Sequence, residues 1–234
     1  VEHRAWPRVE EWSYTAAGRD WHELRWLFGV VMYELWELGG AAAVVVGQSV
    51  LVGAAFGVLM WGVRGSLVRP GVIGLIGLGL CAGASRWVMR PELMTYVMIA
   101  VFLVGLEGVA LRKHGPWVWV LPLLQVVWTN AHPMFVFGPV LAWTAVGAGC
   151  LESGGAAEQR SSRLKSVRWL VVVAVRVSAA CFVNPYGLVG AMQPVRLFAE
   201  SQGGHVVSKH ISEMQAVLGS PVRSWRLDTW AAVI

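Results

Sequence analysis

Asn130 and His132 stand two residues apart in "WTNAHP", residues 128 to 133, between runs that are almost wholly apolar. An amide there can orient a hydroxyl or a carboxylate, and an imidazole can hydrogen-bond or carry a proton near neutral pH. The same pair also suits a helix end, where polar side chains satisfy orphan backbone groups and Pro133 opens the next helix at a position that needs no N–H. Arg86 and Arg90 in "SRWVMRPE" carry the planar fork that binds phosphate, or else they pair with Glu92 and the acidic N-terminal segment. Tyr186 in "NPYGL" either lines a cavity or belongs to a turn that stops a helix, since Asn before Pro disfavours helix and Gly187 relaxes the return. Arg176 interrupts "VVVAVRVSAACF", where an unpaired charge costs ~2.5 to 3.5 kcal/mol on insertion scales. It therefore needs a partner such as Glu107, a polar cavity or a lipid phosphate.

Glu10, Glu11, Asp20 and Glu23 precede the first long apolar run, as candidates for a general base or metal ligand and equally as an ordinary solvated segment. His205 and His210 are too isolated to form a metal site. Cys81, Cys150 and Cys181 are odd in number and lodged among apolar residues, which reads as packing rather than a disulfide framework. No Gly-rich phosphate loop, nucleophile elbow or HExxH motif is present. No metal site is assigned, and the cofactor stays open, a divalent cation included.

The elements that must hold these residues follow from composition. Of 234 residues 56% are hydrophobic and 14% charged, whereas an ordinary soluble domain is about 25% charged. A net charge of +5 does not argue for nucleic acid, because the basic residues fall in short clusters between apolar runs. The expectation is an all-α, polytopic transmembrane helix bundle with about six spans, near 41–63, 71–89, 91–111, 116–131, 134–151 and 169–183. Residues 1–40 read as an extracytoplasmic loop in which "WHELRWLFGVVMYELWEL" forms an interfacial amphipathic helix, ended by Gly39 and Gly40. Residues 41–183 read as the bundle, and 184–234 as an extracytoplasmic segment leading to a further, truncated span. Glycines of the second run suit close helix packing. The start at Val1 and the apolar end "WAAVI" suggest a piece of a longer chain.

Arg64 with Arg69, Arg112 with Lys113, and Arg160, Arg163, Lys165 and Arg168 form three basic clusters, each two spans from the next. All three can therefore face the cytoplasm. Ser13, Tyr14, Arg86, Arg90, Glu92, Asn130, His132, Asn184 and Tyr186 then collect on the opposite face. Arg86 and Arg90 stand there against the charge bias, which is what gives them interest.

Four stretches carry a resemblance: "PRVEEWSYTAAGRDWHELRWLFGVVMYELWELGG", "RPEL", "LPLLQVVWTNAH" and "NPYGL", in that order and spread over most of the chain. Together they resemble a group of bacterial multi-span membrane proteins related to the GT-C glycosyltransferases, which use lipid-phosphate-linked sugars. The resemblance implies an inner (plasma) membrane protein that transfers a sugar from a polyprenyl-phosphate donor to an acceptor on the extracytoplasmic face. Arg86, Arg90 and Arg176 would bind phosphate, Asn130 and His132 would position sugar or acceptor, and Tyr186 would line the site. The group's catalytic aspartate lies close to the first span, upstream of this chain; Glu10 matches only a later acidic position of the same loop. Two departures stand out: Pro133 where the group has glycine, which stiffens the turn, and Met214 where "ISEMQ" replaces a tryptophan. The rival expectation is a non-enzymatic membrane protein, a lipid or solute transporter or an assembly subunit, for which Arg176 and Gln48 supply mid-membrane polar groups.

Overall fold

The computed structural model describes residues 9–11, 14, 17–64, 70–111, 115–151 and 157–202. Ser13, Arg69, Arg112, Lys113, His205, His210 and the "ISEMQ" segment lie outside them. The described residues are helical apart from turns and one isolated antiparallel bridge, Val9 with Asp20. Seven α-helices follow in chain order: α1 Trp26–Gly62, α2 Pro70–Ala82, α3 Glu92–Ala110, α4 Trp117–Ala131, α5 Phe137–Leu151, α6 Ala157–Ala180 and α7 Leu188–Gln202. Residues up to Ala191 form one compact unit and those from Met192 a second, of which only the rest of α7 is described.

Three stretches of helix are long and apolar enough to cross a membrane: Trp26–Gly62, Glu92–Ala110 and Pro133–Leu151. That is fewer than the expected six among the described residues, and the second run shows why. Its helix stops at Ala82, after 13 residues or ~20 Å, short of the ~30 Å hydrocarbon layer. Past Gly83 the chain enters a 3₁₀ turn, Ala84–Arg86, and the Trp87 indole folds back so that its Nε1 donates to the Leu80 carbonyl at 2.9 Å. An orphan carbonyl at the helix end is thereby satisfied. The α2 glycines Gly71, Gly74 and Gly77 meet no neighbouring side chain, so the close packing expected of them is not made within the described residues.

The first apolar region also differs from expectation. The break falls at Gly39 and Gly40 as the glycines predict, and Gly40 has φ +58°, a conformation L side chains rarely adopt. No loop separates the two halves, however; helix resumes at once and α1 is a single bent element of 37 residues. At the other end of the chain, α6 begins at Ala157, a dozen residues before the expected start, because neither Pro nor Gly interrupts 157–180. The polar tail expected after "NPYGL" opens instead as α7, with Pro194 inside it.

The core lies among α3, α4, α5 and α6. On α3 the buried residues Met98, Phe102, Leu106 and Val109 recur at steps of four, four and three, the stripe that one helix face presents. Leu170, Val173 and Val177 do the same on α6, and Val118, Leu121 and Trp128 on α4. Phe102 meets Trp128 edge-on with centroids 5.5 Å apart. Such packing draws on van der Waals contact and on hydrogen bonds between helices. Gln125 supplies one of those bonds, donating from Nε2 to the Phe135 carbonyl at 3.0 Å and tying α4 to the turn before α5. Only Phe28 and Ala55 of α1 are buried, and the helix is a flank of the bundle, laid chiefly along α3. Gln48 fastens it there by donating to the Trp87 carbonyl, so this amide is a structural tether rather than a free polar group in mid-span.

Candidate functional site

Helix α4 ends at Ala131, and His132 is extended, at φ −159° and ψ 139°, as a residue before proline prefers. Pro133 then begins a 3₁₀ turn, Pro133–Val136, that leads into α5. The turn leaves Asn130 and His132 facing inward, and both are buried. Asn130 accepts from Trp26 Nε1 at 2.9 Å through Oδ1 and donates from Nδ2 to the carbonyls of Val126 and Val183, each at 2.8 Å. One carboxamide thus joins the start of α1, the end of α4 and the chain just past α6. His132 Nδ1 lies 2.9 Å from Thr95 Oγ1, which also accepts from Trp128 Nε1 at 3.1 Å. Burial and the nearby Arg25 charge push the imidazole from its ordinary 6.5 down to about 4, so it is neutral at physiological pH.

The "NPYG" turn closes on its own first residue. Asn184 Oδ1 accepts from the Tyr186 N–H at 2.9 Å, while Nδ2 donates to the carbonyls of Cys181 and Gly187, each at 3.0 Å. Gly187 takes φ +55°. This Asx-type arrangement ends the sixth helix and turns Tyr186 toward the segment before α1. There the phenol oxygen accepts from the Glu23 N–H at 3.0 Å, and its ring meets His22 edge-on with centroids 4.9 Å apart. Glu23 itself holds Arg25, accepting from Arg25 Nε at 3.1 Å.

Beside this junction lies an open cavity of about 340 Å³ lined by Asp20, Trp21, His22, Pro185, Tyr186 and Val189. A carboxylate, an imidazole and a phenol line one space, a set able to accept, donate and move protons. A second cavity, apolar and about 200 Å³, lies between the two halves of α1. Leu27, Val31 and Leu35 line it from one half, Val50 and Leu51 from the other, with Met89, Met94 and Ala131 completing it.

Of the residues expected at a site, the fold brings Asn130, His132 and Tyr186 to one end of the bundle. Arg86 and Arg90 stand in the connection before α3, at the end of that helix where Thr95 meets His132, and both are engaged within the protein. Glu10 is buried beside the segment too, its N–H donating to the Arg19 carbonyl at 2.8 Å and its carbonyl accepting from Gly18 at 3.0 Å. Arg176 does not join them. Its guanidinium stacks 3.9 Å over the ring of Trp119, in the first turn of α4, about 16 Å of helix from Asn130. The partner is an aromatic face and not Glu107; side chains on α6 lean toward that helix's N-terminus, which carries the guanidinium away from the cluster.

Sequence reading missed Thr95, Trp26, Trp21 and His22 as members of the junction. Three of the four sit in "GRDWHELRW", and the signal available was their aromatic and imidazole clustering in a polar segment just ahead of an apolar helix. Thr95 carried no signal, because a lone threonine inside an apolar helix is commonplace. Among the described residues no group of three His, Cys, Asp or Glu converges as a metal site would require. Comparison of the chain with protein-family models, with curated proteins and with solved structures finds no match.

Proposed function

We propose that this chain is part of a membrane glycosyltransferase-like enzyme that takes a sugar from a polyprenyl-phosphate donor at the membrane face where α4 ends. One observation carries the reading. Three of the four sequence stretches that resemble the GT-C-related group, far apart in the chain, are joined by hydrogen bonds at one end of the bundle, Trp26 to Asn130 and Glu23 to Tyr186, and Thr95, two residues past "RPEL", reaches His132 there. Shared motifs that merely stabilised separate helices would have no reason to meet.

In this reading the cavity beside Tyr186 takes the sugar and acceptor, and the apolar cavity behind Ala131 takes part of the donor's lipid. Asp20 lines the polar cavity and, in place of the upstream aspartate that the resemblance implies, accepts the proton of the acceptor hydroxyl as that oxygen attacks the anomeric carbon. The bond from that carbon to the phosphate oxygen breaks, and the lipid phosphate leaves with the electron pair, steadied by Arg86 and Arg90. Asn130 and His132 act as braces that hold the cavity walls together, a narrower role than binding substrate. Arg176 has no part in the reaction.

The test is donor turnover by the purified full-length protein in nanodiscs with polyprenyl-phosphate hexoses. Asp20→Asn is expected to lower turnover by about 10²- to 10⁴-fold with the fold intact. Turnover unchanged by that variant moves the base elsewhere, and a folded but wholly inert wild-type protein sinks the enzymatic reading. That inertness would favour the non-enzymatic alternative.

A further inference from the structure

We infer that the other end of the bundle holds a binding site for the headgroup of an ethanolamine phospholipid, an ammonium joined to a phosphodiester. The inference rests on the helices crossing a membrane and is independent of glycosyl transfer. Where α1 ends, α3 ends and α4 begins there is a cavity of about 380 Å³ with Arg64 and Glu107 in its wall. Arg64 lies over the Trp61 ring, 5.1 Å from its centroid, and NH1 donates to the Trp61 carbonyl at 2.8 Å. The Glu107 carboxylate is exposed and makes no hydrogen bond or ion pair with any described residue. A cation and an anion therefore share one cavity without pairing with each other. A ligand that satisfies both must itself carry both signs, phosphate toward the guanidinium and ammonium toward the carboxylate.

The aromatic wall strengthens the choice of ammonium. Trp117 stands 6.5 Å from Trp61, centroid to centroid, and lines the cavity together with Glu107, so an indole is at hand for a cation there. Its position depends on Gly108, where a Cβ would meet the indole at 3.1 Å. The cavity's place at the ends of two membrane-crossing helices selects a lipid over a free solute, since tryptophan favours that depth. One turn back from Glu107 the same face of α3 presents exposed Leu103, along which an acyl chain can lie.

Native mass spectrometry of the delipidated full chain with phosphatidylethanolamine and phosphatidylglycerol of matched acyl chains tests this. Wild type is expected to retain the ethanolamine lipid about tenfold better. Glu107→Gln should bring the ratio near one, Glu107→Asp should restore it, and Arg64→Gln should weaken both lipids. Equal retention by wild type, or a preference that survives Glu107→Gln, overturns the proposal. Displacement of the lipid by free phosphoethanolamine at equal concentration would assign the site to a soluble zwitterion and overturn the lipid assignment. Both side chains are exposed, so circular dichroism of the variants should match wild type.

Discussion

Asn130 commits its whole carboxamide to three partners, which makes it a lock between helices before it is anything else. Asn130→Ala removes the acceptor that the Trp26 indole uses and the donor to the Val183 carbonyl, and is expected to cost roughly 1 to 3 kcal/mol in denaturant unfolding in micelles. Asn130→Asp keeps the acceptor for Trp26 but sets a carboxylate against two carbonyls, so it should not recover the loss. His132 gives a pH signature. Its native value of about 4 lies below the ordinary 6.5, so between those values the unfolded chain binds more protons than the native one. The stabilisation is complete above pH 6.5 and drains away as pH falls toward 4. Thermal unfolding of wild type should show that decline in the window, and His132→Gln should flatten it.

The bend in α1 is the element on which the site depends, because it lets Trp26 reach Asn130 while the second half of the helix lies along α3. Gly40 combines φ +58° with ψ −144°, a region open in practice to glycine alone. Gly40→Ala is expected to cost on the order of 1 to 3 kcal/mol. It should also open the bend, read as a longer spin-label distance between Val30→Cys and Val50→Cys; an unchanged distance would show that packing on α3, not the glycine, sets the angle. The break itself was legible in the sequence as a Gly-Gly pair between polar-flanked and apolar helix. The shortness of α2 was not, since it comes from one indole, Trp87, returning to Leu80 across a turn that hydropathy does not register.

For the whole molecule, the two ends of the bundle are chemically different. One gathers Asp20, His22, Tyr186, Asn130 and His132, and the other Arg64, Glu107 and two tryptophans. In a background with Cys81 and Cys150, both exposed, changed to Ser, cysteines placed at Tyr14 and at Arg64 should react with impermeant thiol reagent from opposite sides of sealed vesicles. Labelling of both from one side would break the topology on which the two proposals stand.

By itself the sequence determined that this chain is helical, too apolar for an ordinary soluble domain, and punctuated at the bend, at "WTNAHP" and at "NPYGL", because hydropathy, glycine and proline act locally. Only the tertiary structure decided which polar residues keep company. Arg176 went to Trp119 and not to the end of the bundle that holds Arg86 and Arg90, Thr95 came to His132, and Tyr186 came to Glu23, 163 residues away. Such pairings depend on where whole helices cross and how far each side chain leans, and neither quantity is carried by residue type or spacing along one strand of sequence.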